Sequence, residues 1–152
     1  MGFTAAGIST STVTTTAQAP LGFILTVPDG NNGIQEWIYV YNDSGAEAAV
    51  AKVQTRKAET ANYHIAEAGA INPCQAVGVV VTAIPNLSYG FILRKGIGTV
   101  DAAGSVTADK GLILVAAGEV THEAGITGMA FGNSLAGRTG AGTFSAFVDC
   151  RG

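Results

Sequence analysis

Between Ala76 and Val115 the chain reads AVGVVVTAIPNLSYGFILRKGIGTVDAAGSVTADKGLILV, three short apolar runs closed off by glycine, proline and asparagine. Val77 to Val81, Tyr89 to Leu93 and Leu112 to Val115 are too short for helices, and the β-branched and aromatic content of the first two favours strands. Pro85-Asn86, Gly96-Ile-Gly98 and Asp109-Lys110-Gly111 read as the turns between them, with Gly104 and its fellow glycines supplying positive φ. A weaker echo closes the chain: Gly128 to Phe131, a glycine-rich turn through Gly137, Gly140 and Gly142, then Phe144 to Asp149. The echo predicts paired strands of one all-β barrel or sandwich.

The remaining segments extend this pattern. Leu21 to Val27 is an apolar strand ended by the turn cluster Pro28 to Gly33, and Gln35 to Tyr41 follows as its antiparallel partner. In that second strand Trp37, Tyr39 and Tyr41 share one face, and Glu36, Ile38 and Val40 the other. Asn42 to Ala61 is ambiguous, because Ser44 and Glu47 have capping-box spacing while the alternation from Val50 to Arg56 favours a strand. We read Val50 to Arg56 as a strand and Ala58 to Ala70 as a turn-rich or briefly helical link centred on Tyr63 to Ile65. The first twenty residues are rich in threonine and serine and nearly free of charge, so they read as an extended arm, with 21–152 as a single β domain. Phe3, Ile8 and Val13 are the arm's candidate anchors on a neighbouring subunit, and Trp37, Tyr39 and Tyr41 the candidate contacts on the domain.

At 152 residues the chain is long enough to build a core without a metal or disulfide. Only 12% of its residues are charged, a surface that suits permanent contact in an oligomer or larger assembly. A net charge of −3 with 8 scattered Lys and Arg argues against nucleic acid as a direct partner. No apolar run reaches membrane-spanning length, and MGFTAAGIST lacks the features of a signal peptide, so a soluble, unexported chain is expected.

The residues that could carry chemistry are few. His64 and His122 lie in no nucleophile motif, and we read one as packed beside Tyr63 and Ile65 and the other as part of a polar turn. Ser105 and Lys110 form a conceivable dyad, but Lys110 reads better as the corner of a turn. Asp29 to Asn32 resemble part of a calcium loop that lacks its closing acid, since the twelfth position is Val40. Cys74 and Cys150 have no CxxC spacing or histidine pair, so zinc is not expected and a disulfide is allowed but not implied, two buried thiols being the plainer reading. No catalytic, cofactor or metal residues are expected.

Glu36-Trp-Ile-Tyr-Val40, Tyr41 to Gly45, Val77-Gly-Val-Val80, Ser88 to Gly96 and the terminal Asp149 to Gly152 carry a resemblance to a known family. The chain resembles, over about residues 34–152, the small head decoration or cement proteins of tailed phages. In that likeness the family's Trp-Tyr-Val strand falls on Trp37 to Val40 and its glycine-led strand on Val77 to Val80. Its aromatic turn falls on Tyr89 to Phe91, its exposed corner on Asp109 to Gly111 and its closing strand on Phe144 to Val148. The resemblance implies a compact β domain, often a homotrimer, on the outer surface of a virion made in the host cytoplasm. There it would bind the major capsid protein lattice and stabilise the head against its DNA. A carbohydrate-binding or adhesive β module using Trp37, Tyr39 and Tyr41 is the competing expectation.

Overall fold

The strand at Ile34–Asn42 buries both of its faces, and the rest of the chain is arranged around it. In the computed structural model, which describes residues 8–57, 63–67, 76–122 and 130–151, β2 (Ile34–Asn42) lies between β1 (Ile24–Pro28) and the first half of β6 (Ser88–Ala102). β1 pairs antiparallel with β2 from Ile24↔Ile38 to Pro28↔Ile34, as expected, but the strand runs Ile24–Pro28 rather than Leu21 to Val27, with Pro28 still paired. The intervening Gly30–Asn32 is a single 3-10 turn. The remaining strands are β3 (Val53–Arg56), β4 (His64–Glu67), β5 (Ala76–Val79), β7 (Leu112–Leu114), β8 (Val120–His122), β9 (Gly132–Ser134) and β10 (Gly142–Asp149). All are antiparallel neighbours except the β2–β4 and β6–β8 pairs. The described chain is all-β.

The pairings β2–β4–β3–β5–β6–β2 close a circuit, while β1, β10–β9 and the β7–β8 hairpin lie outside it. The class is therefore as expected, but the architecture is neither a simple barrel nor a two-layer sandwich. Each face of β2 supplies one core. Ile38 and Val40 join Ile65, Val77, Val80, Ile84 and Ile92 in the smaller cluster. Trp37 and Tyr39 belong to the larger one, with Phe91, Leu93, Phe144, Val148 and the β7 leucines Leu112 and Leu114. Burial of side chains on both faces is the main stabilising term for such a strand.

Several elements differ from expectation, each for a physical reason. β6 runs for 15 residues through Gly96 and Gly98, which are not turns. Arg94 is bulged between Glu36↔Lys95 and Trp37↔Leu93, and Gly96 takes φ 126°; together they let one strand pass from β2 to β10. Positive φ is not reserved for glycine either, since Leu87 (61°) and Asp109 (58°) adopt it at strand entries. The Ser44/Glu47 capping box starts no helix. Buried Asn42 instead donates from Nδ2 to the carbonyls of Ala46 and Ile84, at 2.8 and 2.7 Å, and accepts from the Ser44 amide and hydroxyl, which folds 42–46 as a turn.

The expected strand at Val50 to Arg56 begins only at Val53, because Ala51 has φ 67°. The link centred on His64 is a strand, held by β3 (Arg56↔Ile65) and β2 (Asn42↔Ile65). Val120–His122, read as a polar turn, pairs with β7. At the closing echo, the strand is Gly132–Ser134 rather than Gly128 to Phe131, of which 128 and 129 lie outside the described residues. Phe144 to Val148 do form a paired strand, joined to β6 from Val100 to Gly96.

Candidate functional site

β2 begins at Ile34 and leaves β6 near Lys95, yet β6 continues to Ala102. The space that results is a cleft of about 620 Å³. At its base are Trp37, Leu93 and Val80, all buried; Ile97, Gly98 and Thr99 of β6 form one wall, and Val50, Val81 and Thr143 lie at the mouth. Among the described lining residues none is charged. Val50 and Val81 are 54% and 43% exposed, so the mouth of the cleft carries apolar surface.

The wall of β6 also offers main chain. The Ile97 carbonyl accepts a hydrogen bond from Gln35 Nε2 at 3.1 Å, and the Asp101 amide donates to the Ala51 carbonyl at 3.0 Å. Alternate residues of a strand turn their main-chain groups to the same side. Thr99, midway between them, thus presents its N–H and C=O to the cleft, and among the described residues no strand pairs with it there; its register partner Ser145 lies on the opposite side. Two local features hold the cleft's shape. Gln35 Oε1 accepts from Trp37 Nε1 at 3.1 Å, which fixes the indole. A Cβ at Gly98 would lie 2.5 Å from Leu93 Cδ2, so glycine there leaves room for Leu93. Behind the Ala51 end, Lys52 bridges Asp101 (2.8 Å) and Glu119 (2.9 Å). Burial opposes the ammonium charge, but the two carboxylates outweigh it and raise the Lys52 pKa above the ordinary 10.5.

The candidate contact residues fall in three places. Phe3 lies outside the described residues. Trp37 and Tyr39 are 6% and 1% exposed, so their rings are spent on the chain's own core and cannot offer faces to sugar; Trp37 reaches only the base of the cleft. Tyr41 is half-buried and ends an aromatic row. Tyr39 stacks on Tyr89 (6.1 Å between centroids), Tyr89 meets Tyr41 (4.5 Å), and Tyr41 meets His64 edge-on (5.0 Å). Ile8 and Val13 turn back onto this same chain, packing against the larger and smaller cores respectively.

The described part of the arm is held at its own domain. Thr14 and Tyr89 exchange main-chain hydrogen bonds at 3.0 and 2.7 Å, on the side of β6 away from β2. The Gln18 amide donates to the Tyr39 hydroxyl at 3.0 Å, and Gly90, lacking a Cβ, leaves room for Ile84 and Val13. Val13, a strand former between threonines, was the legible signal for this contact.

The residues weighed for chemistry are engaged elsewhere. His64 Nδ1 lies 3.0 Å from Asp43 Oδ2, with Lys57 Nζ 3.4 Å from Oδ1. Burial raises the Asp43 pKa, but hydrogen bonds and charge from His64 and Lys57 prevail and lower it below 3.8. Among the described residues no serine or cysteine shares a hydrogen bond with His64. The Ser105 hydroxyl accepts from the Gly140 amide rather than meeting Lys110. Asp29 Oδ2 is taken by Asn32 Nδ2 and Gln35 Nε2. Cys150 is a buried free thiol whose pKa is pushed far up by burial and then by Asp149, which keeps it protonated and unreactive; Cys74 lies outside the described residues.

Fold and cleft together define a small all-β module with an uncharged, partly main-chain-lined socket. No protein-family model matches the chain, and no curated protein matches it. Among solved structures it is similar to the N base of the head fiber gp8.5 of bacteriophage phi29, with a TM-score of 0.57. The similarity covers 74% of this chain and 92% of that chain at 9% identity, so what the two share is the fold.

Proposed function

We propose that this chain is a structural protein of a phage virion, a head-associated β module that docks on the shell built by the major capsid protein. The observation that carries this reading is the fold shared with a phage head-fiber base over 92% of that chain. The likeness of residues 34–152 to head decoration proteins points independently to the same particle. A surface with few charges fits a subunit that spends its life in contact, and the Asp43–His64 and Lys52–Asp101–Glu119 ion pairs tie β4 and β6 to the segments beside them. The module works as a homo-oligomer, a trimer by analogy with the decoration family, on the outer face of the head.

The test is addition of purified protein to shells that lack it, followed by particle electron microscopy, with sedimentation of the free protein for its mass. Added density at regular lattice positions is the expected result. Absence of any density at saturating protein would overturn the reading. Hydrolytic activity lost on His64→Ala would replace it with an enzymatic one.

A further inference from the structure

The cleft combines two features that select the same kind of occupant. Thr99 offers a main-chain donor and acceptor on the side of β6 that faces the cleft, flanked by the closed positions at Ile97 and Asp101. From Ile97 to Asp101 the open edge is about 13 Å long, enough for a few residues of extended chain. Beside that edge lies an apolar hollow based on Trp37 and Leu93, with Val50 and Val81 exposed at its mouth. An added strand satisfies the main chain and sends every second side chain to one side, so one of them enters the hollow. A strand edge left open beside exposed valines is otherwise a liability for a soluble protein.

We propose that this cleft is the socket for an extended, uncharged segment of a shell subunit, which lies along β6 at Thr99 and sets one apolar side chain against Trp37 and Leu93. The proposal rests on the shell-docking reading above. An uncharged segment is required because the described lining offers no counter-charge, and a buried unpaired charge would be costly. The arm of a second copy is the weaker occupant, since the described arm is already tied to Tyr89 and Tyr39 of its own domain.

Full-length wild type, Val50→Asp, Val81→Asp and Leu135→Asp are titrated onto shells lacking the protein. All three positions are solvent-exposed, so folding is expected to survive and is checked by thermal melting. The cleft variants should need at least about tenfold more protein for half-occupancy, because each places a carboxylate in the dry contact. Leu135→Asp, away from the cleft, should match wild type. In the bound wild type, hydrogen exchange at the Thr99 amide should slow relative to the free protein. A photo-crosslinking residue at position 81 should capture the major capsid protein. Wild type that never binds shells sinks both the docking reading and this socket. Wild type that binds while Val50→Asp and Val81→Asp bind equally well, with Thr99 exchange unchanged, overturns the socket alone. Crosslinks solely to a second copy of this chain overturn the assigned occupant.

Discussion

Gly98→Ala tests how the base of the cleft is packed. The new methyl would lie 2.5 Å from Leu93 Cδ2, where carbon atoms prefer about 3.5–4.0 Å. Leu93 is fully buried, so it must leave its rotamer or push on its neighbours, and overpacking of this kind costs about 1–3 kcal/mol. Alanine regains about 0.5–1 kcal/mol through the smaller entropy it loses on folding. The net expectation is a destabilisation of up to about 2.5 kcal/mol, or a few degrees in Tm for a chain of this size. The decisive measurement is a double-mutant cycle by urea denaturation with Leu93→Ala, which alone should cost about 2–5 kcal/mol. With the leucine truncated, the nearest remaining side-chain atom is Val148 Cγ2 at 3.9 Å, an ordinary contact. Gly98→Ala should then become neutral or stabilising, giving a coupling of about 1–3 kcal/mol. Additive single mutants, or a Gly98→Ala that stabilises the wild-type background, would refute the close-packing argument.

Gly132→Ala should leave no soluble folded protein, because its Cβ would overlap the Phe147 carbonyl oxygen, whereas Gly104→Ala meets nothing within 4 Å and should keep the wild-type circular dichroism spectrum and Tm. Tyr39→Phe removes the hydroxyl that takes the Gln18 amide, so stability should fall by about 1 kcal/mol and limited proteolysis between 8 and 20 should quicken; unchanged cleavage would show that the bond does not pin the arm. Deleting residues 1–19 should lower Tm for the same reason, since Ile8, Val13 and Ala19 pack on the two cores. The folded Lys52 pKa is raised, so its ion pairs stabilise the fold fully below 10.5 and are lost as pH rises through the folded value. The stability deficit of Lys52→Met should therefore be constant from neutral pH to about 10 and shrink above the ordinary lysine range.

What could be read from the chain was local. The alternation of Gln35 to Tyr41 and the turn at Pro28 to Gly33 each act within a few residues, and β1 and β2 pair antiparallel as expected. Alternation identified two faces of β2 but not that both would be covered, because residues packed with Ile38 and Val40, such as Ile65, Val77 and Ile84, lie in later segments of the chain. β4 and β8 were missed because His64–Glu67 and Val120–His122 carry no strand signature of their own; Arg56, Asn42 and Leu112 hold them through pairing. Glycine misled at Gly96 and Gly98, since the same residue marks a turn in one setting and a close approach inside a strand in another.

The cleft lay furthest from legibility, and the reason is itself structural. It exists because a strand of 15 residues is paired along one side with a strand of 9, whose bulged register ends at Lys95. Neither length nor register is encoded in Thr99, Val50 or Val81 individually. A socket made by mismatch needs no distinctive side chain at the unpaired position, because the main chain supplies the polar contact and ordinary valines supply the rest. For such a site, specificity must come from geometry: how far β6 outruns β2, and where Gln35 and Ala51 close the two ends. On the socket proposed above, shortening the open edge should therefore raise the protein needed for half-occupancy of shells even with every lining side chain intact.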